Sequence, residues 1–192
     1  MGSFTDTLKS IDNAVLLFIN GMHSPFFDHF MMLVSNRLIW IPLYLLLAYL
    51  IVRKYGKSSW LLIVFGILAV AMSDQLASGL LKNLVMRYRP SHNLLLAPQL
   101  HIVKGYFGGQ YGFASSHAAN TFALATFIML ILPQSRKLII ALFCWALLVC
   151  YSRMYLGVHY PSDIMGGIIV GCLSAWICFK LWQLINKRLA LS

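Results

Sequence analysis

Five apolar segments, at residues 37–53, 58–81, 117–133, 137–155 and 162–183, constrain this chain more than any other feature. Each is close to the ~20 residues a helix needs to cross a bilayer, and lipid forces backbone polar groups to be satisfied inside the spanning element itself. The segments predict an all-α protein, a polytopic transmembrane helix bundle with five spanning helices, or six if the N-terminal stretch also crosses. That stretch is apolar from Ile11 to Ser35, but His23-Ser24-Pro25 breaks it and Asp12, Asp28 and His29 interrupt it. Residues 1–36 are therefore expected to form interfacial helices rather than one span. The whole chain, 1–192, reads as a single domain.

Composition supports a membrane setting, since 60% hydrophobic and 10% charged residues lie outside the range of soluble domains. The net charge of +10 falls in short clusters between apolar segments, not in a basic run with interleaved polar surface, so nucleic acid is not an expected partner. Cys144, Cys150, Cys172 and Cys178 sit inside apolar segments without CxxC spacing and read as small core residues, neither zinc ligands nor disulfides. Asn20, Gly21 and Pro25 interrupt the first apolar stretch. No cleavable signal peptide is expected, and the first span serves as its own insertion signal.

Basic residues orient the bundle. With five spans, Arg53, Lys54 and Lys57, then Arg136 and Lys137, then Lys187 and Arg188 fall on one side, which the positive-inside rule makes cytoplasmic. The loop at 87–116 and the loop at 153–162 then face outward. The longer one reads as a partly apolar lid, with Leu94 to Leu96 dipping into the membrane surface.

The ionisable residues cluster in those outward regions. His159 and Asp163 are four residues apart, a spacing that lets the carboxylate reach one imidazole nitrogen and leaves the other as nucleophile or base, with Arg153 nearby to hold an anion. The chain has no Glu and five Asp, so a placed carboxylate is informative. Lys82 and Arg89 lie about two helical turns apart before Pro90 ends the helix. Ala114-Ser115-Ser116-His117 precedes an apolar helix, where free N–H groups and the helix dipole suit an anion, although serines there serve equally as N-caps. Asp74, Ser78 and Lys82 recur every four residues, placing Asp74 on the same face but deeper, in a structural role. Arg87 reads as an interfacial anchor or a headgroup contact.

Together these residues resemble the type 2 phosphatidic acid phosphatase superfamily, whose motifs are KxxxxxxRP, PSGH and SRxxxxxHxxxD. The first and third match at Lys82–Pro90 and Ser152–Asp163, while the second has Ala114 for Pro and Ser116 for Gly. The resemblance implies that His159 attacks phosphorus to form a phosphohistidine and that Asp163 orients it. It implies that His117 protonates the leaving oxygen and later activates water, while Lys82, Arg89, Arg153, Ser115 and the Ser116 amide hold the phosphoryl oxygens. With one carboxylate in the site and cations supplying the charge, no metal and no cofactor are expected.

The resemblance further implies a lipid phosphatase of a bacterial inner membrane, its site facing the periplasm and its substrate a lipid phosphate embedded in the bilayer. Undecaprenyl pyrophosphate is the first expected substrate. Phosphatidylglycerol phosphate and the 1-phosphate of lipid A are alternatives, and a catalytically silent lipid-binding or transport protein is the reading from another class. The soluble vanadate haloperoxidases share the motif pattern but not the hydrophobicity. Nothing in the sequence sets an oligomeric state.

Overall fold

The computed structural model describes residues 4–189, so 1–3 of the expected N-terminal segment and 190–192 of the domain lie outside the described residues. In chain order the helices are α1 (Phe4–Gly21), α2 (Pro25–Ser35), α3 (Ile41–Tyr55), α4 (Ser59–Asp74), a π-helical stretch (Gln75–Leu81), α5 (Lys82–Val85), α6 (Ser116–Ile131), α7 (Arg136–Tyr155) and α8 (Pro161–Leu189). The His-Ser-Pro break is a helix start: Ser24 Oγ accepts from the Phe27 N–H at 3.3 Å and Pro25 opens α2.

α6 is the axis of the bundle. It is apolar on every side, and Ala118, Ala119, Ala123 and Ala125 are fully buried, as expected for a helix enclosed by others. α8 lies against it through Gly167 and Gly171, a GxxxG pair. A Cβ on Gly171 would sit 2.2 Å from Ala119 O, and one on Gly167 would sit 2.4 Å from Ser115 O. Both obstacles are backbone, so any larger residue forces the helices apart.

α3 and α4 form a hairpin that turns at Gly56, whose φ of +54° suits a residue without Cβ. At one end of the hairpin Arg37 Nη2 lies 3.8 Å from Asp74 Oδ1. At the other, Lys54 Nζ donates to Ile131 O at 3.3 Å and to Gln134 Oε1 at 3.1 Å, while Tyr55 OH also bonds Ile131 O. A cation and a hydroxyl thus cap the C-terminus of α6. Arg53, Lys54, Lys57, Arg136 and Lys137 gather at this end, and the chemistry-bearing residues gather at the other.

Three runs are long and apolar enough to cross a membrane: Arg37–Val85, which doubles back at Gly56, Arg136–Tyr155 and Pro161–Lys187; α6 is shorter. Their outward faces expose Leu45, Ile67, Ile169 and Trp176, residues that water would not tolerate in such number but lipid does. The chain is a membrane protein.

Two sequence expectations change. Leu94 and Leu95 are 90% and 85% exposed, but Leu96 is buried against Leu16 and Tyr160, so only the first two can meet a membrane surface. Cys150 and Cys178 are buried and Cys172 half-buried, whereas Cys144 is on the exposed face of α7 and is not a core residue.

Candidate active site

His159 lies in the short connection between α7 and α8 and is fully buried. Its Nδ1 is 3.4 Å from Asp163 Oδ2, which also accepts from the Tyr160 N–H at 3.0 Å. The i, i+4 spacing therefore delivers the contact it predicts. The other ring nitrogen, Nε2, lies 3.2 Å from Arg89 Nη1. Burial, followed by the charges of Arg89, Arg153 and Lys82, holds the imidazole well below the ordinary histidine range. It is neutral near pH 7, with a lone pair facing a cation.

Arg89 is buried at the start of the long loop. Nε donates to Tyr111 O at 3.1 Å and Nη1 reaches Val158 O at 3.4 Å. Burial and then Arg153 lower its pKa to about 10, so it stays charged. Arg153, at the end of α7, is 1% exposed. It bonds Ser35 Oγ and donates to Tyr106 OH at 3.0 Å, and its Nε has no hydrogen-bond partner among the described residues. Lys82 touches Ser78 Oγ at 3.4 Å. Among the described residues, none of these three cations pairs with a carboxylate.

Ser115 stands at the N-cap position of α6, but its hydroxyl makes no capping bond and is buried without a partner among the described residues. Its own N–H is occupied, donating to Asp163 O at 2.9 Å. Of this segment's N–H groups, those of Ser116 and His117 begin the helix and lack intrahelical acceptors. His117 Nε2 lies 3.2 Å from Ser35 O. Ser35 therefore contacts both His117 and Arg153, a role that nothing in its sequence surroundings signals. Among the described residues no three of His, Cys, Asp or Glu are grouped as metal ligands.

Arg87 is not an interfacial anchor. Its Nη1 donates to Asp163 Oδ1 at 3.0 Å and its Nη2 to Asp12 Oδ2 at 2.7 Å, so it is held between two carboxylates. Asp74 locks helices: its Oδ1 accepts from Asn120 Nδ2 at 2.7 Å, tying α4 to α6. Gly108 and Gly112 let the loop cross the site closely. A Cβ at Gly108 would meet Arg89 Nη1 at 2.8 Å, and one at Gly112 would meet Asp163 Oδ2 at 2.7 Å. Glycine density in 105–112 is the only sequence signal for this crossing.

Residues 59–187 match the PAP2 superfamily along their length. The chain belongs to that superfamily. Among PAP2-type relatives, the Lipid A 4′-phosphatase of Bacteroides thetaiotaomicron is 38% identical over 95% of this chain and 81% of its own length. The enzyme of the same name from Porphyromonas gingivalis is 33% identical over 94% and 77%. The undecaprenyl-diphosphatase of Sulfolobus acidocaldarius is 27% identical over 96% and 79%. In fold, the chain is similar to the crystal structure of Aquifex aeolicus LpxE, with a TM-score of 0.68 and 24% identity over 87% of this chain and 93% of that one. It is also similar to a transmembrane PAP2 type phosphatidylglycerolphosphate phosphatase from Bacillus subtilis, with a TM-score of 0.66 and 22% identity over 95% and 89%. The chain is thus a membrane-embedded PAP2 phosphatase, a hydrolase, and the expected family holds.

Proposed function

We propose that the protein hydrolyses the phosphate monoester of lipid A at the 4′ position through a phosphohistidine on His159. The observation that carries this reading is the set of three cations around His159, Lys82, Arg89 and Arg153, which have no carboxylate partner among the described residues. Buried positive charge left unpaired costs several kcal/mol, roughly, unless an anion arrives to balance it, and a phosphoryl group in transfer is that anion. The neutral Nε2 of His159 attacks phosphorus, with Asp163 balancing the charge that develops at Nδ1. The P–O bond to the lipid breaks, and His117 gives its proton to the departing oxygen. His117 then takes a proton from water, which attacks phosphorus and breaks the P–N bond to release inorganic phosphate. The unpartnered Ser115 hydroxyl and the Ser116 amide are suited to the remaining phosphoryl oxygens.

A cleft of about 610 Å³ supports a lipid substrate. It is lined at one end by Ser35, Arg37, Asp74 and His117 and runs between α3, α4, α6 and α7 past Tyr44, Val70 and Leu62. From Asp74 to Leu62 the rise along α4 is about 18 Å, close to one leaflet of a bilayer whose hydrocarbon is ~30 Å thick. An amphiphile with its phosphate at His117 would lay a chain along this wall. Similarity to the two lipid A 4′-phosphatases favours the lipid A alternative over undecaprenyl pyrophosphate, and the 4′-phosphate over the 1-phosphate.

Purified protein in detergent should release phosphate from lipid A faster than from undecaprenyl pyrophosphate or phosphatidylglycerol phosphate, with mass spectrometry finding the loss at the 4′ side. Preference for the pyrophosphate would restore it as substrate. Binding of all three without any phosphate release would make the protein a silent lipid binder.

α3, α4 with α5, α6, α7 and α8 are read as five crossings in a bacterial inner membrane, with the basic end cytoplasmic and the site periplasmic. On a cysteine-free background, an impermeant thiol reagent applied to intact spheroplasts should label Gln110→Cys and spare Lys57→Cys. The reverse pattern would turn the site toward the cytoplasm.

A further inference from the structure

The family match begins at residue 59, yet the far side of the His159–Asp163 pair is organised from α1. Asp12 is buried, and both of its oxygens are engaged. Oδ1 accepts from the Ser162 N–H at 2.9 Å, while Oδ2 accepts from Ser162 Oγ at 2.5 Å and from Arg87 Nη2 at 2.7 Å. Arg87 carries the contact inward, since its Nη1 donates to Ser162 Oγ at 2.5 Å and to Asp163 Oδ1 at 3.0 Å. Its guanidinium carbon lies 3.9 Å over the Tyr160 ring, which fixes the plane of the fork.

Two consequences follow from this geometry. Ser162 is in the first turn of α8, where N–H groups lack intrahelical acceptors; the Asp12 carboxylate supplies one from another helix and lies at the positive end of the dipole. The turn it pins carries Asp163 at the next residue. Arg87, for its part, carries one charge between two carboxylates. Held by Asp12 on Nη2, its other nitrogen is fixed on Asp163 Oδ1, and that leaves Oδ2 aimed at His159. Without the Asp12 carboxylate, Nη2 loses that acceptor, and the fork is less firmly held on Asp163.

We infer that Asp12 is a positioning residue of the phosphatase: acting through Arg87 and Ser162, it fixes the carboxylate that orients His159, which makes α1 part of the active site. The inference rests on His159 being the nucleophile.

The test is a set of purified full-length variants assayed for phosphate release from lipid A: wild type, D12N, R87Q, D12N/R87Q and S162A, with H159A as control. D12N preserves shape and removes charge, and it should lower kcat by roughly ten- to a hundredfold, the scale of a small misplacement in a site. KM should stay within about twofold, because Asp12 touches no phosphoryl oxygen. D12N/R87Q should lose clearly less than the product of the two single losses, since both variants break the shared Arg87 link. If Asp12 only capped α8, the two losses would multiply. Wild-type kcat in D12N, or multiplying losses, would overturn the inference. Should D12N not be recovered folded, S162A keeps the backbone bond to Asp12 and removes only the relaying hydroxyl; a lower kcat at unchanged KM supports the link, and wild-type kcat rejects it. With wild type active and H159A silent, the behaviour of D12N bears on Asp12 alone. Inactive wild type would overturn the proposed function and this inference with it.

Discussion

His159→Ala is expected to abolish turnover, with a fall in kcat of at least about 10⁴-fold, because the step that forms the covalent intermediate has no other nucleophile. The fold should survive. Asp163 would lose His159 but keep Arg87 Nη1 and the Tyr160 N–H, so its carboxylate is not orphaned. Arg89 would keep Tyr111 O and Val158 O. A single-turnover experiment with substrate labelled in its phosphate separates the possibilities. Wild type should carry acid-labile label on protein before phosphate appears, and H159A should carry none while still eluting as a monodisperse detergent complex. Label on H159A, or wild-type release from it, would remove His159 from the chemistry.

The bundle is legible in the sequence because lipid enforces a simple rule: an apolar run of span length becomes a helix, and each of the five runs holds one of α3, α4, α6, α7 and α8. The contact between His159 and Asp163 is legible for a similar reason, since four residues on a turn entering a helix fix a distance. What is not legible depends on partners far away in the chain. Arg87 reads as an anchor because its carboxylates, Asp12 and Asp163, are 75 and 76 residues distant, and no local period relates them. Ser35 meets Arg153 across 118 residues. The every-four pattern of Asp74, Ser78 and Lys82 assumes a regular helix, but the stretch Gln75–Leu81 is π-helical. Its wider turn changes which residues stack. Lys82 still meets Ser78, whereas Asp74 turns to Asn120. Leu96 illustrates the limit of reading a loop by hydrophobicity alone, because burial against Leu16 and exposure to lipid leave the same mark on a sequence.

Arg153→Met should separate function from stability. The guanidinium is 1% exposed, lacks a carboxylate among the described residues, and leaves Nε without a partner. Such a group destabilises the empty protein and is useful only when an anion arrives. Methionine keeps the unbranched apolar stem and removes the buried charge; against that, Ser35 Oγ and Tyr106 OH each lose a partner, at about 1–3 kcal/mol apiece. Relief from desolvation is several kcal/mol, roughly, so thermal stability should be unchanged or higher. Activity should fall by on the order of 10³ or more, the scale of an arginine that stabilises a phosphoryl group in transfer. Inorganic phosphate gives an independent readout, since a ligand that binds only the folded state raises Tm by mass action. It should raise the Tm of wild type and leave R153M unmoved. If R153M unfolds at lower temperature, or still gains stability from phosphate, then Arg153 braces α7 against α2 and the loop, and the anion is held by Lys82 and Arg89 without it.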